Sequence, residues 1–272
     1  MRIGVSTNDF SVAKKSGFKG VGFGLPKSVK EVSSHIEERA EQLHEEGFEV
    51  AQIGAWANLV HPDPKTRREH IEIVKEALRG SASVGKAPVA TGAGSRSGAR
   101  PFSVHRENTS PATQRLLIEG LNEVAEVAEE NEVCLALEPG LLTPLPTPEE
   151  VRRIIEAVGS KYVRLQMDPF NLLGPETICN SGDFFRRLFE VTKGLSVSAH
   201  LKDIYVEPTW PIQFKETFAG NGWADYDILL PLLDRELKPD AWAMIEHTPP
   251  EKIPEAKRFI ENKAHELGIR LG

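Results

Sequence analysis

Apolar residues along this chain fall into short uninterrupted runs, bounded by Gly, Pro, Asn or Asp, that alternate with longer stretches in which they return every three or four positions. The runs predict eight strands, at residues 2–6, 20–23, 48–53, 88–91, 133–138, 163–168, 195–200 and 242–246. The stretches between them predict helices at 10–16, 29–46, 66–84, 113–130, 149–158, 184–192 and 226–236, and 254–267 closes the chain. Start signals anchor some of these, notably Thr147 before Pro148-Glu149-Glu150 and Asp225 before Ile228, Leu229, Leu232 and Leu233. Pro231 falls inside that last run and predicts a kink or a later start.

Strictly alternating strands and helices imply parallel strands joined by right-handed crossovers. Eight units in 272 residues, about 34 residues each, predict a single (β/α)8 TIM barrel occupying 1–272 as one domain. A doubly wound open sheet usually carries a Gly-rich phosphate loop after its first strand, whereas Thr7-Asn8-Asp9 stands here. Two connections are too long for plain turns, 92–110 after the fourth strand and 202–224 after the seventh. Both are read as βα loops on the face where such barrels carry their sites.

With 40% hydrophobic and 27% charged residues the chain can bury a sizeable core. It offers no apolar run long enough for a membrane span and no signal-like start, so the expectation is a cytoplasmic protein that engages no membrane. Cys134 and Cys179 lack any CxxC spacing, which excludes a disulfide framework and a thiolate zinc site. A net charge of −7 has the wrong sign for gripping a phosphate backbone, so no nucleic-acid partner is expected.

The chemistry gathers at four strand ends. Glu138, Asp168, His200 and Glu246 close the fifth to eighth predicted strands at spacings of 30, 32 and 46. By strand parity Glu138 shares a face with Ala136 and Cys134, while Val133, Leu135 and Leu137 occupy the other. The apolar face should meet the helices, so the ionisable side chains look inward at the barrel mouth. Three carboxylates there repel one another unless a cation sits among them. Together with one imidazole they form a hard, oxygen-rich set suited to one divalent metal ion, Mn²⁺ first, with Mg²⁺, Co²⁺ and Zn²⁺ as alternatives. The plainer reading, strand-end carboxylates that only cap helices or pair with Lys and Arg, accounts poorly for four successive strands.

The segments LALEPG (135–140), RLQMDPFNLL (164–173), SAHLKD (198–203) and MIEHT (244–248) resemble the sugar phosphate isomerase/epimerase family of xylose isomerase-like barrels. TGAGSR (91–96), SVHREN (103–108) and GNGWADY (220–226) extend the resemblance over nearly the whole chain. It implies a divalent-metal-dependent isomerase or epimerase, with Glu138, Asp168, His200 and Glu246 on the metal and the two glutamates as acid and base. Chemically, this is proton transfer through an enediolate. The chain departs from the ketose 3-epimerase branch, which has Arg and Glu after Glu138-Pro139 and a His where Asn171 stands. A metal-dependent lyase or dehydratase acting on a keto-sugar or keto-glycoside is the alternative. A DNA-repair endonuclease-like barrel would need a His-rich zinc site, but His35, His44, His70 and His265 fall in predicted helices. A non-catalytic sugar-binding barrel fits an intact ligand quartet least well.

Around this quartet Trp56, His61, Arg96, His105 and Asn171 are candidate substrate contacts for a small sugar or sugar-derived molecule, with Arg100 a weaker one. Lys202 keeps the inward parity of His200 and is a candidate catalytic cation opposite a developing oxyanion. His247, by the same parity, is read as structural and facing outward. Nothing in the sequence decides against a homo-oligomer.

Overall fold

The computed structural model describes residues 1–272. The chain runs β1 (Arg2–Ser6), α1 (Phe10–Lys15), β2 (Gly20–Gly24), α2 (Val29–Glu45), β3 (Glu49–Gly54), α3 (Pro64–Ser83), β4 (Val89–Gly92) and α4 (Pro111–Asn131). It continues with β5 (Leu135–Glu138), α5 (Pro148–Val158), β6 (Val163–Met167), α6 (Ser181–Val191) and β7 (Ser196–Leu201). Then follow β8 (Asp203–Glu207), β9 (Gln213–Thr217), α7 (Tyr226–Glu236), β10 (Trp242–Ile245) and α8 (Ile253–Glu266). All strands except β8 and β9 close into one parallel barrel in the order β1-β10-β7-β6-β5-β4-β3-β2, the (β/α)8 fold expected.

Local chemistry explains where the helices begin. The side chains of Asp9, Asp63, Ser110, Thr147 and Asp225 each accept a hydrogen bond from a backbone N–H in the first turn of α1, α3, α4, α5 and α7. Pro64, Pro111 and Pro148 stand at the entry of α3, α4 and α5, where their missing N–H is harmless. Pro231 neither delays nor divides α7. The carbonyl it leaves without a helical partner belongs to Asp227, an exposed residue that water can satisfy.

Outward strand residues such as Val5, Val21, Ile53, Val89, Leu135 and Leu165 are fully buried against the helix ring and form most of the core. Inside the barrel the filling is layered. At the N-terminal end Trp242 and Met244 plug the bore, and they fit because β1 and β2 offer glycines opposite them. A Cβ on Gly20 would lie 2.5 Å from the Trp242 ring, and one on Gly4 would lie 2.6 Å from the Met244 sulfur. Above that plug the interior turns polar, with Gln52, Gln166, Ser198 and then the strand-end residues.

The segment 202–224 differs from the loop expected. It contains an antiparallel hairpin, β8 paired with β9 from Asp203 opposite Thr217 to Glu207 opposite Gln213. Buried Asp203 ties it to the barrel, its carboxylate accepting from the N–H groups of Ile204 at 2.8 Å, Ala224 at 3.0 Å and Gly220 at 3.2 Å. No helix is long and apolar enough to cross a membrane.

Candidate metal centre

Glu138 ends β5, Asp168 follows β6, His200 lies near the end of β7 and Glu246 follows β10. One ligand atom from each lies within 4.8 Å of the others. His200 Nδ1 stands 3.2 Å from Glu246 Oε2, 3.4 Å from Glu138 Oε2 and 3.6 Å from Asp168 Oδ2. All four side chains are buried. Glu138 Oε2, Asp168 Oδ2 and His200 Nδ1 have no hydrogen-bond partner. Buried carboxylate oxygens and an imidazole nitrogen turned on a common centre, with a lysine ammonium 2.8 Å from one of them, mark a site that holds positive charge, and their oxygen-rich character fits a divalent ion.

The electrostatics agree. Burial holds the Glu138 carboxyl above its usual range, partly opposed by His200. Burial alone would lower the His200 imidazole, yet Glu246, Asp168 and Glu138 together push it up to about 10. The field that binds that proton so firmly is one that attracts any cation. Burial opposes ionisation of Asp168 too, but Lys202 and His200 hold its carboxyl well below the ordinary carboxylate range.

The three carboxylates are held by neighbouring donors. Asn171 donates its amide to Glu138 Oε1. Asp168 Oδ1 accepts from the N–H groups of Phe170 at 3.1 Å and Asn171 at 3.2 Å. Lys202 Nζ donates to Glu246 Oε1 at 2.6 Å, and it sits 2.8 Å from Asp168 Oδ2 as an ion contact, not in the direction of a hydrogen bond. The Lys202 ammonium is buried, which would discharge it, but Asp168, Glu246 and Glu138 keep it charged by raising its pKa well above the usual value.

The cleft over this cluster brings some sequence candidates together and not others. Trp56 lines it, its ring 6.1 Å from that of His200 and 5.9 Å from that of Phe102. His61 and His70 meet edge to face at 5.8 Å in a side cavity of about 380 Å³, where Lys27 and Arg100 are the other ionisable lining residues. Trp56, Lys27 and Arg100 also line the adjoining cavity that reaches Glu138 and Glu246. Arg96, by contrast, donates to the carbonyls of Val60 at 2.9 Å and His61 at 3.2 Å, and it braces two loops instead of facing the cleft. His105 accepts from the Glu107 N–H at 3.3 Å, capping a turn away from the lining.

His247 overturns the parity reading. β10 stops at Ile245, and His247 takes a left-handed φ of 48°, which swings its ring back over the mouth. There its Nδ1 meets a carboxylate oxygen of Glu216 from the hairpin, and both line the cleft. Glu216 also approaches Lys202 Nζ at 3.5 Å. Glu216, Phe102, Lys27 and Gln52 are residues that sequence reasoning did not single out.

A closed parallel barrel with a buried Glu/Asp/His/Glu cluster at its C-terminal mouth belongs to the class of (β/α)8 proteins built around a candidate metal site. More specifically, the chain belongs to the xylose isomerase-like TIM barrel family, whose profile it matches over residues 10–263. Among solved structures it is similar to 3-keto-D-glucoside 4-epimerase from E. coli, with a TM-score of 0.73 and 18% identity over 96% of this chain and 99% of that one. A probable 3-DHS dehydratase from Bacillus anthracis gives a TM-score of 0.71 and 14% identity over 96% and 99%. A xylose isomerase-like TIM barrel protein from Mycobacterium smegmatis, in complex with magnesium, gives a TM-score of 0.70 and 18% identity over 94% and 87%. At these identities the likeness speaks for the fold. No curated protein sequence matches this chain.

Proposed function

We propose that the protein is a divalent-metal-dependent sugar isomerase or epimerase that moves a proton through an enediolate. The observation that carries this reading is the convergence of one ligand atom each from buried Glu138, Asp168, His200 and Glu246, all within 4.8 Å of one another beneath an open cleft. Held by these four residues, an ion such as Mn²⁺ or Mg²⁺ would supply Lewis-acid polarisation of a substrate carbonyl. The magnesium-bound relative lends support to such an ion.

The chain's own residues divide the remaining work. Glu138 and Glu246 stand on strands separated by two others, so a sugar lying between them offers each a different face. A carboxylate on each side lets a proton leave one face and return on the other. Lys202, buried and charged, lowers the energy of negative charge developing on a substrate oxygen. Trp56 and Phe102 offer apolar surface to the carbon face of a sugar, and His247 offers ring N–H and lone-pair capacity to its hydroxyls. Lys27, Arg100 and His61 line the far end of the cleft without a carboxylate among them, which suits hydroxyls or an acidic group.

One feature favours a second reading, elimination from a keto-sugar. The outer oxygens of the two glutamates are held unequally, Glu138 by the neutral amide of Asn171 and Glu246 by the Lys202 ammonium. Elimination needs one base and one proton donor to the leaving group, roles that Glu246, paired with the ammonium, and Glu138, whose carboxyl burial holds above its usual range, would fill. Both readings are tested by incubating the Mn²⁺-loaded protein with ketoses, sugar acids and 3-keto-glycosides in D₂O. Deuterium entering a product of unchanged composition supports isomerisation, and loss of water or an aglycone supports the lyase. Absence of exchange across the panel overturns both.

A further inference from the structure

The polar layer inside the barrel does more than fill space. Gln52 on β3, Gln166 on β6 and Ser198 and His200 on β7 are all buried, and they join hands across the bore between the Met244 plug and the candidate metal centre. His200 Nε2 lies 2.9 Å from Gln52 Oε1. Gln52 Nε2 donates to Gln166 Oε1 at 2.8 Å, and the Ser198 hydroxyl donates to that same oxygen. The opposite ring nitrogen, His200 Nδ1, faces Glu138, Asp168 and Glu246.

We propose that Gln52 is a positioning residue that fixes His200 as the Nε2–H tautomer and thereby presents Nδ1 as the lone pair for a divalent ion. The logic runs inward from Ser198. Two donors converge on Gln166 Oε1, which sets the orientation of that amide, while Gln166 Nε2 is left buried without a partner. Turning Gln166 over alone would set its N–H groups against those of Gln52, and turning both amides over would put the His200 hydrogen on Nδ1 among the carboxylates, where it excludes the ion. With its nitrogen committed to Gln166, Gln52 can offer His200 only its oxygen, so the imidazole nitrogen facing it must carry the hydrogen. Histidines that ligate metals are oriented in this way by an acceptor on their other nitrogen, and loss of that acceptor typically weakens metal binding by about 10- to 100-fold. Here the acceptor comes from a strand on the far side of the barrel, so the chelating half is aligned from the half that carries no ligand.

This inference rests on the metal reading, and the test separates the two. Mn²⁺ binding to the full-length apo protein is measured by electron paramagnetic resonance for the wild type, Gln52→Met and Gln52→Glu, with thermal melting as a check of folding. The Met variant keeps the volume and loses the acceptor; the Glu variant keeps the acceptor. Expected is a loss of about tenfold or more in Gln52→Met, with Gln52→Glu retaining most of the affinity. Nitrogen-15 spectra of the Zn²⁺-loaded wild type should show His200 protonated at Nε2. Equal affinity in Gln52→Met and wild type, a Met variant that binds better than the Glu variant, or a metal on Nε2 overturns the inference and leaves the metal centre standing. Failure of the wild type to bind Mn²⁺ or Zn²⁺ overturns both. Should Gln52→Met not fold, Ser198→Ala trims only the outermost link and should weaken Mn²⁺ binding to a smaller degree; no change there overturns the relay.

Discussion

The rim of the barrel has two unlike halves. β5, β6, β7 and β10 carry Glu138, Asp168, His200 and Glu246 at or within one residue of their ends, whereas β1, β2, β3 and β4 end in Ser6, Gly24, Gly54 and Gly92. One half concentrates charge and the other removes side chains. The small ends are as purposeful as the charged ones. A Cβ on Gly54 would lie 2.6 Å from the Trp56 indole nitrogen, and one on Gly92 would lie 2.3 Å from the Phe102 ring. Glycine there makes room for two aromatic rings at the cleft opposite the carboxylates, so the candidate ligands and the aromatic lining come from different strands of one ring.

If that division is real, the largest effects belong to the charged half. His200→Ala and Asp168→Ala should lose the metal, read by elemental analysis after dialysis, and lose measurable proton exchange with it. Retention of the ion at wild-type affinity in both variants would remove the cluster as a metal centre. Next in size are Glu138→Gln and Glu246→Gln, which keep an oxygen ligand but cannot take a proton. Each should keep the metal and lose about 10²-fold or more in kcat. Full turnover in both would leave the ion in place and end the two-base mechanism.

The glycine half should respond in a different currency. Gly92→Ala forces the Phe102 ring away without touching a ligand. Metal affinity should stay constant while KM rises by about tenfold, equivalent to about 1.4 kcal/mol of lost substrate contact. A drop in metal binding instead would mean that the halves are mechanically coupled and the division is too simple.

The two halves were also unequally legible. Carboxylates and a histidine closing four successive apolar runs stand out from sequence because charge at a buried strand end demands a reason, and capping residues such as Asp63, Thr147 and Asp225 mark helix starts through short-range bonds. The rest depends on distance or on a break in periodicity. Gln52 meets Gln166 across 114 residues of sequence, and a neutral amide announces no charge, although its inward parity beside outward Ile53 was a usable signal. His247 escaped because parity holds only while a strand lasts, and the strand ends two residues earlier. Glu216 was hidden in a segment whose alternation is short and whose hairpin is held by the distant loop bonds of Asp203. Arg96 and His105 point to substrate through residue type and their place in the long loop after the fourth strand, whereas the carbonyl and N–H groups they satisfy are invisible in sequence.

The smallest predicted effect lies at the opposite end of the barrel and tests whether chemistry is confined to the mouth. Arg2 on β1 lies over the Trp242 ring of the plug at 3.8 Å and binds Glu49 on β3 through both terminal guanidinium nitrogens, one at 2.7 Å. The hydrogen bond from Arg2 lowers the Glu49 carboxyl below its ordinary value. A depressed carboxyl stabilises the fold at pH values above its unfolded pKa, and that contribution fades as pH falls through the folded value. Because the pair is partly solvated, Glu49→Gln should cost less than about 1 kcal/mol at pH 7. In urea unfolding the gap between variant and wild type should narrow as pH falls below the unfolded carboxyl value of about 4.3. Metal affinity and kcat should not move, since conserving the plug matters for stability and the ligands stand at the other end of the strands. A gap that widens toward acid would show that Glu49 is held by something other than the Arg2 charge, and a change in metal affinity would show that the plug and the polar layer above it act on the mouth as one body.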